Sequence, residues 1–177
     1  MEAQGKHVII FIFGTALVAA IFAWSFQYMR GRRILELWGT DNARLIRVEG
    51  EQIQLLSLSS DVDESMPARP EPLVLYGESF TVVDAIEISN APGIIHARQA
   101  LIEDASFQWE KPRADCQPDW QYALEFRQKQ RVATILLDMH CERAKLLENG
   151  NEAAIHPKIF AGWRKFIDEQ LAVAHSE

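Results

Sequence analysis

The sequence has few of the residues, and none of the spacings, that commit a chain to a known chemistry. Its two cysteines in 177 residues, Cys116 and Cys141, form no Cys-x-x-Cys pair, so neither a zinc ribbon nor a thioredoxin-type motif is present. Their spacing suits reduced cytosolic thiols and equally permits one disulfide in an oxidising compartment. His-Glu-x-x-His, an EF-hand loop, Gly-x-x-x-x-Gly-Lys and Gly-x-Gly-x-x-Gly are all absent from the sequence. Positive charge is scarce as well: beyond Arg33 the chain carries 14 basic against 24 acidic residues, a net charge of −10. A domain that acidic is repelled by phosphate backbones, because nucleic-acid affinity rests on Lys and Arg displacing counterions, and nucleic acid is therefore excluded as a partner. No cofactor is implied.

Charge is missing altogether between Val8 and Met29, where Thr15, Ser25 and Gln27 are the only clearly polar side chains. A run of this length matches the roughly 20 helical residues that cross a hydrocarbon core, where every backbone N–H and C=O must be paired inside the segment. The expectation is a single N-terminal transmembrane helix, with a division into an anchor over 1–30, a juxtamembrane helical stalk over 31–48 and a domain over 49–177. Arg30, Arg32 and Arg33 follow the run while Lys6 precedes it. The Lys/Arg bias then places the N-terminus outside a bacterial-type inner membrane and the domain in the cytoplasm. Trp24, Tyr28 and Trp38 stand near those arginines as amphipathic aromatics suited, with them, to anchoring at the lipid headgroups. Ala16 with Ala20, and Ala19 with Ala23, are small residues four apart that would let another helix approach closely.

Beyond the arginines the chain alternates between two periods. Gly39 is suited to end a helix in the left-handed conformation, and Thr40 or Asp41 to cap a short helix through about Val48. A strand is expected over 51–58, and the acidic, proline-bearing stretch from Ser59 to Pro72 reads as an exposed loop. Phe80, Val82, Ile86 and Ile88 share one face under period two, interrupted by Asp84, which marks an edge or a bulge. Asn90 can cap the next helix, with Pro92 in its first turn and Ile94, Ala97, Leu101 and Ala105 as its apolar stripe. Phe107 and Trp109 suggest a brief strand before a second loop over 110–119.

The clearest strand signal is Tyr122, Leu124 and Phe126 alternating with Ala123, Glu125 and Arg127. A turn at Gln128-Lys129-Gln130 leads to a buried return strand, Val132 to Met139. A third strand from Arg143 to Glu148 and a tight turn at Asn149-Gly150 extend the meander. Ile159, Phe160, Trp163, Phe166, Ile167 and Leu171 recur at helical spacing after Pro157. Together these segments predict an α+β fold: a mostly antiparallel sheet with two amphipathic helices packed on one face.

The only constellation with chemical content is Asp138, His140 and Cys141 at the end of the return strand, with His96 and His156 elsewhere. Asp138 and His140 share a face under period two, so the carboxylate would orient the imidazole, or both would join a distant histidine around a metal. His140 and Cys141 point to opposite faces of a strand and cannot act as a nucleophile pair there. The leading expectation is a membrane-anchored, non-catalytic accessory, assembly or scaffold subunit, with the lipid bilayer and a membrane-protein complex as partners. The alternatives are a metal-dependent or acid–base enzyme using Asp138 and His140, and a ligand-sensing domain.

Overall fold

The computed structural model describes residues 2–59, 73–75, 78–110 and 116–174, with side chains described over 11–25, 31–59, 74, 79–110 and 116–174. Two compact units divide at Arg33 and Ile34. The first is helical and belongs to α1 (Glu2–Trp38). Its side chains from Phe11 to Ser25 are all exposed, and the Thr15 hydroxyl donates back to the Phe11 and Ile12 carbonyls at 3.0 and 2.9 Å.

The expectation of a membrane span is corrected here. Among the described residues no helix is long and apolar enough to cross a membrane. The single-pass placement in an inner membrane, with the N-terminus outside and the domain cytoplasmic, falls with the span on which it rested. Tyr28 and Arg30 lie outside the described side chains.

The second unit begins inside the last turns of α1, where Ile34, Leu37 and Trp38 are buried. Residues 34–48 therefore belong to this unit, and Ile34, Leu37, Trp38, Ala43, Leu45 and Ile46 join its core. Gly39 ends the helix at φ 77°, a conformation that costs a residue with a Cβ and suits glycine. Two short helical segments follow, α2 (Thr40–Arg44) and a π-helical turn over Leu45–Glu49. Arg98 closes that turn: its guanidinium donates to the carbonyls of Ile46, Gly50 and Leu45 at 2.7, 3.2 and 3.3 Å. Burial lowers the Arg98 pKa from its ordinary value, and these carbonyls supply the solvation it loses.

The strands are β1 (Gln52–Ser59), β2 (Leu73–Leu75), β3 (Glu78–Glu87), β4 (Phe107–Gln108), β5 (Tyr122–Gln128), β6 (Arg131–Asp138), β7 (Arg143–Leu146) and β8 (Glu152–Ile155). They line up in the order β2-β3-β1-β5-β6-β7-β8-β4, and each neighbouring pair is antiparallel. The α+β expectation holds for this unit. The two-residue hairpin turn is Lys129-Gln130, since Gln128 pairs with Arg131; Lys129 sits at φ 56°.

Helices α3 (Ile94–Ile102) and α4 (Pro157–Ala174) bury Ile94, Ala97 and Leu101, and Phe160, Trp163, Phe166 and Ile167, in one cluster with Leu55, Leu124, Phe126 and Ile135 of the sheet. Asn90 does not cap α3. Gly93 holds the N-cap position at φ 88°, and no side chain bonds there, because backbone turns at Ile88–Ala91 and Ala91–Ile94 bring the chain in.

The opposite face of the sheet has its own cluster, Leu56, Leu58, Phe80, Val82, Trp120, Ala123 and Leu136. Period two placed Phe80 and Val82 with Ile86 and Ile88. The structure separates them, because the register shifts between Ser57 and Leu58: Ser57 pairs with Asp84, but Leu58 pairs with Val82. Val83 is the extra residue, and one inserted residue in a strand exchanges the faces of everything beyond it. The expected loop over 59–72 falls, apart from Ser59, outside the described residues.

Candidate functional site

Trp38 shows how far the second unit commits its side chains to structure. It is 0% exposed, its indole N–H donates to the Leu101 carbonyl at 2.6 Å, and Phe107 packs edge-on at 5.7 Å. The position read as an interfacial anchor is thus part of the core. The end of α1 is also tied to the β7–β8 turn: Asn149 donates to the Leu37 carbonyl at 3.0 Å, and Asn151 to those of Glu36 and Leu37 at 3.2 and 3.0 Å. These amides satisfy carbonyls that a helix end leaves without partners.

Asp138 occupies the last position of β6, in register with Arg143, and is 0% exposed. One carboxylate oxygen accepts the N–H of His140 at 2.7 Å and of Cys141 at 2.9 Å. The other accepts the N–H of Asp119 at 3.1 Å. The carboxylate therefore organises the β6–β7 turn and docks the chain that leads into β5, as short acidic side chains do when they bond backbone two or three residues on. His140, His96 and His156 are exposed. The His156 ring nitrogen Nδ1 accepts the N–H of Lys158 at 3.3 Å, at the start of α4. Among the described residues, no group of three or more His, Cys, Asp or Glu is placed to hold a metal ion.

The residue that sequence reasoning left undecided is Cys141, which is disulfide-bonded to Cys116. No signal in the spacing distinguished paired from free thiols. Nearby on the same sheet face, Lys145 stands 5.8 Å above the Trp120 ring and 3.7 Å from the Glu152 carboxylate, which Arg143 also approaches at 3.2 Å. Glu125 is buried there, 2.7 Å from Arg127, and the Thr134 N–H donates to Glu148 at 2.8 Å. Glu148 as a residue is exposed, but its carboxylate lies against the buried strand. Desolvation first, and then the Glu125 charge, raise its pKa above the ordinary 4.5.

Two surfaces have the shape of binding surfaces. In the first unit, Phe11, Val18 and Phe22 flank a shallow strip floored by Gly14, Thr15, Ala19 and Ala23. These positions recur every three to four residues and so share one helix face. Sequence reasoning singled out Ala19 with Ala23, which lie on the strip, and Ala16 with Ala20, which do not line it. Gly14 was missed, though Thr15, Ala19 and Ala23 at four-residue spacing carried the signal. Trp24 is exposed, as are Arg32 and Arg33. In the second unit, Gly93, His96, Ala97 and Ala100 of the α3 segment face Gly162, Trp163 and Phe166 of α4 across an open groove of about 520 Å³.

No protein-family model matches the chain, and no curated protein or solved structure matches it.

Proposed function

We propose that the chain is a non-catalytic assembly subunit, in which the N-terminal helix docks on an apolar helix of a partner protein and carries the acidic α+β domain with it. One observation carries this reading: the Phe11–Ala23 strip, of large and small side chains that are apolar apart from Thr15, lies on one helix face and is exposed. Exposed apolar area of this extent marks a surface that another apolar surface covers, and small residues between large ones admit the ridge of a second helix. The engagement of Asp138 by three backbone N–H groups supports a structural use of the residue best placed for acid–base chemistry.

The test is site-specific photo-crosslinking in cells, followed by gentle lysis in mild detergent and co-purification. A photoreactive residue at Ala19 is expected to capture a discrete protein, and one at Phe13 or Leu17, on the far side of the helix by the 100° step, is not. A chain that runs alone as a monomer, or that crosslinks equally from both faces, defeats the reading.

A second reading, a ligand-sensing domain, is favoured by the groove between α3 and α4, whose volume falls within the usual range for small-molecule sites. Thermal-shift screening with apolar carboxylates checks it, since His96, Lys158 and Lys165 stand at its rim. A ligand-dependent rise in melting temperature that Gly162→Leu abolishes supports this reading; no rise with any compound removes it.

A further inference from the structure

Cys116 and Cys141, 25 positions apart in sequence, are joined with their Cα atoms 5.8 Å apart, inside the range that a disulfide spans without backbone movement. Contacts that involve no sulfur hold the two segments in this register. Asp138 binds the N–H of Cys141 on one side and of Asp119 on the other, at 2.9 and 3.1 Å. Gln121 accepts the Met139 N–H on its side-chain oxygen at 2.7 Å, and its own N–H donates to the Leu137 carbonyl at 3.2 Å. The fold thus brings the cysteines together on its own account.

The two sulfurs differ in access. Cys141 is 1% exposed, whereas Cys116 is half-buried. We propose that this pair is the acceptor site of a disulfide-donating thiol oxidoreductase, that Cys116 reacts with the donor first, and that the α+β domain therefore matures in an oxidising compartment. The Cys116 thiolate attacks the donor disulfide, forming a mixed disulfide and releasing one donor thiolate. The Cys141 thiolate then attacks the Cys116 sulfur, closing the internal bond and releasing the donor's second thiolate. The chain loses two protons and two electrons, and the donor disulfide becomes a dithiol. In a compartment kept reducing by glutathione and thioredoxin, a pair with one sulfur within reach of solvent stays as thiols.

The experiment uses the full chain, reduced and refolded, with oxidised glutathione as the donor and peptide mass spectrometry after acid quenching. The wild type is expected to lose both thiols with no lasting adduct. Cys141→Ser is expected to retain glutathione on Cys116, and Cys116→Ser to leave Cys141 unmodified until denaturant is added. Because a variant can be misfolded, limiting maleimide on the reduced wild type gives a second readout: Cys116 should be alkylated about tenfold faster than Cys141, as exposure controls thiol reactivity. Equal rates at the two thiols overturn the order of attack. Alkylation of intact cells before lysis tests the compartment. Protein isolated with both thiols blocked overturns that part of the proposal, and protein with neither blocked, showing them only after reduction, supports it.

Discussion

The two ends of α1 are both rich in apolar side chains, and they meet different fates. Phe11, Phe22 and Trp24 are exposed, Phe22 by 76%, whereas Ile34, Leu37 and Trp38 are buried. Hydrophobicity does not separate them. The difference is what the fold supplies: at the C-terminal end, Leu101 offers a carbonyl to the Trp38 indole and Asn149 and Asn151 offer donors to the helix carbonyls, while the strip from Phe11 to Ala23 has an apolar surface of its own. A helix end is integrated when its polar groups are satisfied along with its apolar ones.

The sharpest way to break this comparison is to truncate one tryptophan at each end. Trp38→Ala should destabilise the α+β domain by about 3–5 kcal/mol, through the cavity and the orphaned Leu101 carbonyl, whereas Trp24→Ala should leave its denaturant midpoint unchanged. Equal effects would mean that the exposed end also stabilises the domain. Replacing both cysteines by serine should cost about 3 kcal/mol, the loop-closure term for a ring of this size, and reductant should lower the wild-type midpoint and leave the double variant where it is. Asp138→Ala, which strands the N–H groups of Asp119, His140 and Cys141, should cost about 2–3 kcal/mol. Asp138→Asn should fall between it and the wild type, because an amide oxygen still accepts.

The smallest expected effect is a pH dependence. Glu148 has a folded-state pKa raised mainly by desolvation, so the folded state holds this proton more tightly than the unfolded one. Its contribution to stability is most favourable below about 4.5 and falls as pH rises through the folded-state value. Solvent screening of an exposed residue keeps the effect under about 1 kcal/mol. Glu148→Gln, which retains an acceptor for Thr134, should flatten the urea-midpoint profile in that window; an unchanged slope would place the titration elsewhere.

Much of the fold was legible because it is local. The stripe of α4, with Phe160, Trp163, Phe166 and Ile167, and the alternation of β5 follow from helical and strand periods that neighbouring residues display. Gly39 announced its own positive φ. The β3 faces were misread because the bulge at Val83 changes parity: Asp84 marked an edge or a bulge, but not which residues lie on each side of it. Trp38 was misread because an aromatic beside arginines looks the same whether lipid or a protein core lies next to it. For the candidate site, Asp138 was recognised as unusual, but its partners are backbone N–H groups, which every sequence carries and none displays.

By itself, then, the sequence determined the α+β class, the acidic charge, and the positions of the two amphipathic helices, all of them sums over adjacent residues. Tertiary structure alone decided that Trp38 is core, that Asp138 is a turn organiser, and that Cys116 and Cys141 are bonded. The contacts behind them join separated positions: Trp38 and Leu101 are 63 apart in sequence, Cys116 and Cys141 25, and Asp119 and Asp138 19. Such contacts exist only once strand register and helix placement are settled, because a shift of one residue would turn those side chains to the other face.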